Sequence, residues 1–186
     1  MQPPLWPQIL LQVILIALNA YFAATEIAVI SLNEAVLRRQ AEDGDKKAAL
    51  LLKITEQPTG FLSTIQIGIT LAGFLGAAFG ADNLAGRLSQ WLITEYHLTA
   101  AAAEAVHTLS VILITLILSY FTLIFGELVP KRVAMKKSDA VARFTCRVVA
   151  FLAAVMRPVI WLLTVSTNGV LRLLHIDPNE EDDEVP

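Results

Sequence analysis

Cysteine, charged residues and basic–aromatic clusters are all scarce in this sequence. The one cysteine, Cys146, excludes an internal disulfide, and no Cys/His group suggests a zinc or copper site. No segment alternates basic and aromatic residues, so we expect no nucleic-acid partner. We also find no nucleophile–base arrangement and no phosphate loop, and therefore predict that the chain is not an enzyme.

Long apolar runs make up much of the sequence, and charged residues are few. Only 17% of the 186 residues are charged and 55% are hydrophobic, against about 25% and about 45–50% in an average soluble domain. The apolar runs predict three transmembrane helices, at about Ile9–Leu32, Phe61–Phe79 and Thr108–Phe125. Because Met1–Pro4 carries no basic residue, we interpret the first run as a retained span and not a cleaved signal peptide.

Two further stretches predict amphipathic helices. Asn33–Gln57 has apolar residues at helical spacing, with a break at Gly44, and predicts two short helices on the membrane surface. The stretch Val148–Leu174 contains Arg157-Pro158; an arginine at the bilayer centre costs at least about 2.5–3.5 kcal/mol, and proline interrupts a helix. We therefore predict a kinked surface pair there and not a fourth span.

The basic residues predict the orientation. Five lie after the first span, six lie in Lys131–Arg147, and Arg87 alone lies between the second and third spans. The positive-inside rule then places the N-terminus outside and the C-terminus in the cytoplasm, in a multi-pass protein of the plasma (inner) membrane. We predict that residues 1–174 form the membrane domain and that residues 175–186, which are rich in Asp and Glu, form an acidic linker.

Polar residues inside the spans are the candidate site. Pro130 has no N–H, so the carbonyl of Gly126 loses its usual helical donor, and Glu127 stands beside it. Open carbonyls at membrane depth are tolerated only inside protein or facing a cavity. Carboxylate, hydroxyl and carbonyl oxygens are the ligands of a hard cation such as Mg2+. Further oxygen-bearing residues lie in the first two spans, at Asn19, Glu26, Ser63, Thr64, Gln66 and Thr70.

Each of these residues also has a simpler interpretation. Glu127 would pair with Lys131 or Arg132, and Asn19 would join two helices. Serine and threonine hydroxyls in spans most often bond to their own helix. We place Glu26 at the headgroup level in preference to direct coordination.

Three motifs occur in order: Asn19–Ala28 (NAYFAATEIA), Leu62–Leu71 (LSTIQIGITL) and Phe125–Lys131 (FGELVPK). With these motifs the chain resembles the transmembrane domain of the cyclin M/CorC family of magnesium transporters, over nearly its whole length. The resemblance implies an all-α membrane fold, with three transmembrane helices plus cytoplasmic juxtamembrane helices, in a homodimer. It also implies outward Mg2+ transport driven by inward Na+. In full-length relatives a pair of ATP-binding CBS domains, and often a CorC domain, follows.

Carried over to this sequence, the resemblance makes Glu127 and Gly126 part of the ion site, with Asn19, Ser63 and Thr64 as further ligands. We expect dehydrated Mg2+ to bind between the helices, with few or no waters. Ala23 and Ile69 depart from it, since many relatives have serine and asparagine there. Two other functions therefore stay open: export of organic cations such as polyamines, and a non-transporting membrane anchor for a regulatory CBS module. Three spans are too few for a pathway through one subunit, which also favours a dimer.

Overall fold

The computed structural model describes residues 4–56 and 58–174, without the side chains of residues 81, 82 and 101. All regular secondary structure in these ranges is helical, which confirms the predicted all-α class. The predicted acidic linker, residues 175–186, lies outside the described residues.

Three helices are long and apolar enough to cross a membrane, as predicted: Trp6–Ile30, Thr59–Glu95 and Ala102–Lys136. The first is α1. The second begins as α4 (Thr59–Phe79), passes through a π-helical segment at Gly80–Ala85 and ends as α5 (Gly86–Glu95). The third begins as α6 (Ala100–Leu123), passes through a π-helical segment at Ile124–Leu128 and ends as α7 (Val129–Lys136).

The second and third spans are longer than the apolar runs predict. Gly80 keeps helical angles (φ −66°, ψ −45°) and does not end its helix. Pro130 lies in the first turn of α7, directly after the π-helical segment, and the helix continues through it beyond Phe125. The hydropathy of the sequence predicts only the apolar part of each helix, and in the structure the helical backbone continues into polar sequence.

The polar stretch after α1 folds into the two predicted short helices, α2 (Glu34–Glu42) and α3 (Lys46–Glu56). The Asn33 side chain caps α2 by accepting the Val36 N–H at 3.2 Å. Gly44 stands between the helices with φ of +91°, a left-handed conformation that favours glycine. The predicted break is confirmed; the position of these helices on a membrane surface stays a prediction.

The last two helices are α8 (Ser138–Val155) and α9 (Arg157–Leu173), and they meet at an angle of 69°. The bend falls at Met156–Arg157, directly before Pro158, as the sequence predicts. The two helices are apolar enough to span a membrane only if they are taken together. Their placement as a surface pair stays a prediction.

The core surrounds the C-terminal end of α1, which packs against α4, α7 and α8. Small and branched side chains from α1, α2, α3, α4, α7 and α8 fill it, among them Ala28, Val29, Leu37, Leu51, Ile65, Ala134 and Cys146. The third span is much less covered: only 11% of its most apolar stretch is buried. Large apolar side chains such as Leu116 and Tyr120 are exposed along it.

Candidate cation-binding site

The site is built where α1 crosses the π-helical segment that joins α6 to α7. Asn19, which is buried, donates from Nδ2 to the carbonyl oxygen of Gly126 at 3.1 Å. A Cβ at position 126 would lie 3.1 Å from the same Nδ2, so glycine permits this close approach. Because Pro130 brings no amide hydrogen, Asn19 supplies a donor to this carbonyl from another helix.

This bond fixes the orientation of the Asn19 amide. The nitrogen must face the Gly126 carbonyl, since only the nitrogen donates. The other end, Oδ1, is buried and has no hydrogen-bond partner among the described residues. A buried acceptor without a donor costs about 1–3 kcal/mol, so this oxygen is available to a cation or a water molecule.

Lys131 stands between two carboxylates. Its Nζ lies 3.0 Å from Oε1 of Glu127 and 3.2 Å from Oε2 of Glu26. The three side chains are about one-third exposed, at 27%, 38% and 28%. The simpler interpretation of Glu127, pairing with Lys131, is therefore what the structure contains. Glu26 belongs to the same ion-paired group; its position at the headgroup level stays a prediction.

Glu127 also lines a cavity of about 350 Å³ between α4 and α6. Its wall on α4 is made of small residues, Gly73, Gly76 and Ala77. Its wall on α6 carries three hydroxyls: Thr115, Ser119 and Thr122. Our sequence reasoning missed these hydroxyls, although their spacing of four and three residues places them on one helix face.

Glu26 lines a second and larger cavity, of about 700 Å³. Ser63, Gln66 and Thr70 of α4 supply its other polar groups. Its remaining wall is apolar: Leu62, Ile67, Leu71, Phe74, Val159 and Leu163. Ser63 thus shares a cavity with Glu26 and not with Glu127.

Thr64 stands apart from both acidic cavities. Its hydroxyl donates to the Gly60 carbonyl of its own helix at 2.8 Å, and the residue is only 3% exposed. It lines an apolar cavity of about 220 Å³ together with Phe22 and Gly68. The structure therefore joins Asn19 to Gly126, pairs Glu127 with Lys131, sets Ser63 beside Glu26, and leaves Thr64 bonded to its own helix.

The described residues hold no group of three or more His, Cys, Asp or Glu side chains that could bind a metal ion. A cation here would thus depend on carboxylates from two helices together with neutral oxygens. Ala23, at the position where a serine would add a hydroxyl, is completely buried. Neutral ligands are limited to the amide, carbonyl and hydroxyl groups already described.

Three helices long and apolar enough to span a membrane, with two carboxylates paired to one lysine, define a polytopic helical membrane protein. Residues 10–186 match the Cyclin M transmembrane N-terminal domain. The chain belongs to that family, as the three sequence motifs predict.

Related proteins extend well beyond this domain. The chain is 38% identical to a UPF0053 protein of Synechocystis over 90% of its length, which is 36% of that relative. It is 28% identical to the polyamine export protein of Haemophilus influenzae, covering 96% of this chain and 40% of the relative. It is also 28% identical to a UPF0053 inner membrane protein of Escherichia coli, covering 86% of this chain and 33% of the relative. The chain thus spans little more than a third of these relatives.

Proposed function

We propose that this chain is the membrane domain of a cation transporter and that Mg2+ is its substrate. One observation carries the proposal: Glu26 and Glu127 hold a single cationic group, the Lys131 ammonium, and the residue before Glu127 is bonded to Asn19, whose amide oxygen is buried without a donor. Ionisable residues within membrane spans are costly and mark ion pathways by default. The pair attracts one positive charge, and Lys131 supplies it in this conformation.

Mg2+ would bind by replacing the ammonium. Its ligands would be the carboxylate of Glu127, the Gly126 carbonyl and Oδ1 of Asn19, with Ser63 entering from the Glu26 side. Thr64 would contribute only by giving up its bond to Gly60. Mg2+ favours oxygen ligands in octahedral geometry, and we expect protein oxygens to supply most of them, with few or no waters on the ion.

The remaining parts of the proposal rest on the resemblance to the cyclin M/CorC family. We expect a homodimer in the inner membrane, with the N-terminus outside, the C-terminus in the cytoplasm and outward Mg2+ transport driven by inward Na+. The exposed apolar side chains of α6 are consistent with cover by lipid or a second subunit. In the full-length protein, ATP would act only through CBS domains that follow this domain, with or without a CorC domain.

A second function, polyamine export, is favoured by the same lysine. Its side chain ends in a primary ammonium on a methylene chain, which is also the end group of a polyamine. The cavity beside Glu26 has carboxylate and apolar walls that suit such a molecule. Ala23 and Ile69 also remove two oxygen ligands that Mg2+ would use. One relative bears the name polyamine export protein.

The test compares Mg2+, Na+ and putrescine on the purified domain. A ligand that binds only the folded state stabilises it by about 2.7 kcal/mol at 100 times its Kd. We expect Mg2+ to raise the Tm of the wild type and of the control Glu95→Gln, and to leave Glu127→Gln unchanged. The same three cations are then compared as substrates in liposomes.

The result also separates the candidate functions. A Tm response and uptake with putrescine, but not with Mg2+, would assign the organic-cation function. A folded wild-type protein that responds to none of the three cations would be a membrane anchor and would end the transporter proposal.

A further inference from the structure

A basic cavity lies apart from the acidic site, at the junction of α3, α4, α8 and α9. Its volume is about 460 Å³, which falls within the roughly 300–1,000 Å³ of small-molecule sites. Two cationic residues line it, Lys53 from α3 and Arg157 from α9. Neither makes an ion pair with a carboxylate in the part of the chain that the structure describes. Glu56, one helical turn after Lys53, is paired with Arg38 at 3.3 Å.

The rest of the cavity is apolar. Ile54 and Phe61, both nearly buried, form its inner wall, and alanines of α8 form another side. Trp161 of α9 lies at its edge and is 66% exposed. Two cations above an apolar wall with an exposed tryptophan match a molecule with an anionic head and a hydrocarbon tail.

The fold also gives this cavity its electrostatic character. Gly60, which lines it, lies in the first turn of α4, where unpaired amide hydrogens point out of the helix and favour an anion. Arg157 is the first residue of α9, and the 69° bend before it turns that helix across the cavity. The predicted orientation places this end of the molecule at the cytoplasmic leaflet.

We propose that this cavity binds an anionic phospholipid, with its phosphate between Lys53 and Arg157 and the start of an acyl chain along Ile54 and Phe61. Arginine binds phosphate through a planar pair of donors and lysine binds it as a point charge. Basic pockets between helices at the cytoplasmic side recognise anionic headgroups in this way. A lipid here would tie α3 to the bend between α8 and α9.

The test measures the Tm of the detergent-purified domain with phosphatidylglycerol, phosphatidylcholine or inorganic phosphate. Two double variants are compared: Lys53→Gln/Arg157→Gln, and the control Lys46→Gln/Arg172→Gln. The control removes the same charge from the same two helices at exposed positions outside the cavity. We expect phosphatidylglycerol to raise the Tm of the wild type and of the control. In Lys53→Gln/Arg157→Gln it should raise the Tm no more than phosphatidylcholine does.

Three outcomes would overturn the proposal. Equal phosphatidylglycerol shifts in both double variants would mean general charge attraction. If phosphatidylcholine raised the Tm of the wild type as much as phosphatidylglycerol does, the cavity would not distinguish the charge of the headgroup. If inorganic phosphate raised it as much, the acyl chain would not contribute to binding. If the first double variant does not fold, the single variant Lys53→Gln, with Lys46→Gln as its control, carries the same comparison.

Discussion

Two clusters in this protein place one basic side chain between two carboxylates, and they differ in how the cation is held. In the layer outside the spans, Arg143 of α8 binds Asp139 through Nε at 2.9 Å and pairs with Asp45 through Nη1. Its Nη2 donates to Gln40 at 2.7 Å. In the acidic site, Lys131 meets Glu26 and Glu127 through one atom, Nζ.

Under the proposed function, the two clusters differ in whether a free cation can take the place of the basic side chain. A guanidinium is planar, and each nitrogen of Arg143 has a different partner, so no simple ion reproduces its contacts. An ammonium is a compact point charge, and a free cation satisfies the same carboxylates. We therefore assign the Arg143 cluster to holding α8 against α2 and α3, and the Lys131 cluster to an exchange of cations.

Removing the exchangeable cation should have the largest effect. In Lys131→Met, Glu26 and Glu127 face each other without a counter-ion. We expect the free energy of unfolding in cation-free buffer to fall by about 1–3 kcal/mol. Added Mg2+ should restore the loss and raise the Tm more than in the wild type, because no ammonium competes with it.

The control for this prediction is Lys136→Met, which removes an exposed lysine from the same helix. It should show the wild-type response to Mg2+. If Lys131→Met were destabilised but responded to Mg2+ no more than this control, the ammonium would not occupy a cation site.

Removing the amide that is bonded to the Gly126 carbonyl should have the next largest effect. Asn19→Leu takes away the donor to Gly126 and the unpaired oxygen together. Gln12→Leu is a matched control, because Gln12 is also buried on α1 and donates to a backbone carbonyl, that of Gly76, at 2.9 Å. We expect both variants to lose about 1–2 kcal/mol of stability and only Asn19→Leu to bind Mg2+ more weakly. If Mg2+ raised the Tm of Asn19→Leu and Gln12→Leu equally at each concentration, the role of Asn19 would be only to join two helices.

The sequence predicts the fold better than it predicts the site, for physical reasons. Long uncharged runs require spans, and Gly44 and Pro158 mark a break and a bend from local chemistry alone. Helix ends are less predictable: the apolar runs end at about Phe79 and Phe125, while the helices continue through π-helical turns into polar sequence.

The site depends on which helix faces are brought together, and a single sequence does not contain that information. The motif around Gly126 and Glu127 was recognisable because proline has a local effect on its own helix. The partner of the Gly126 carbonyl, Asn19, is 107 positions away. Glu26 joins Glu127 only through Lys131, and the hydroxyls of α6 become relevant only once that helix lies against α4.

A smaller effect should follow from changing the fixed cluster. Arg143→Lys keeps the charge but loses the planar arrangement of donors. We expect a small decrease in Tm, because a lysine can contact Asp45 or Asp139 but cannot also reach Gln40 with a separate donor. The response to Mg2+ should stay that of the wild type. A reduced Mg2+ response would show that the two clusters are coupled and would break the distinction between them.

The smallest expected effect is the acid sensitivity of the same cluster. The hydrogen bond from Arg143, followed by those from the amides of Ala48 and Lys47, lowers the pKa of Asp45 below its ordinary value of 3.8. Since the folded-state pKa is the lower one, this contribution is present above about pH 4 and is lost as the pH falls through the lowered pKa. Thermal unfolding from pH 7 to pH 3 should therefore show a loss at acid pH that is smaller in Asp45→Asn, whose amide does not titrate. If both proteins lost the same Tm over this range, the ionised Asp45 would not contribute to holding α8 against the loop between α2 and α3.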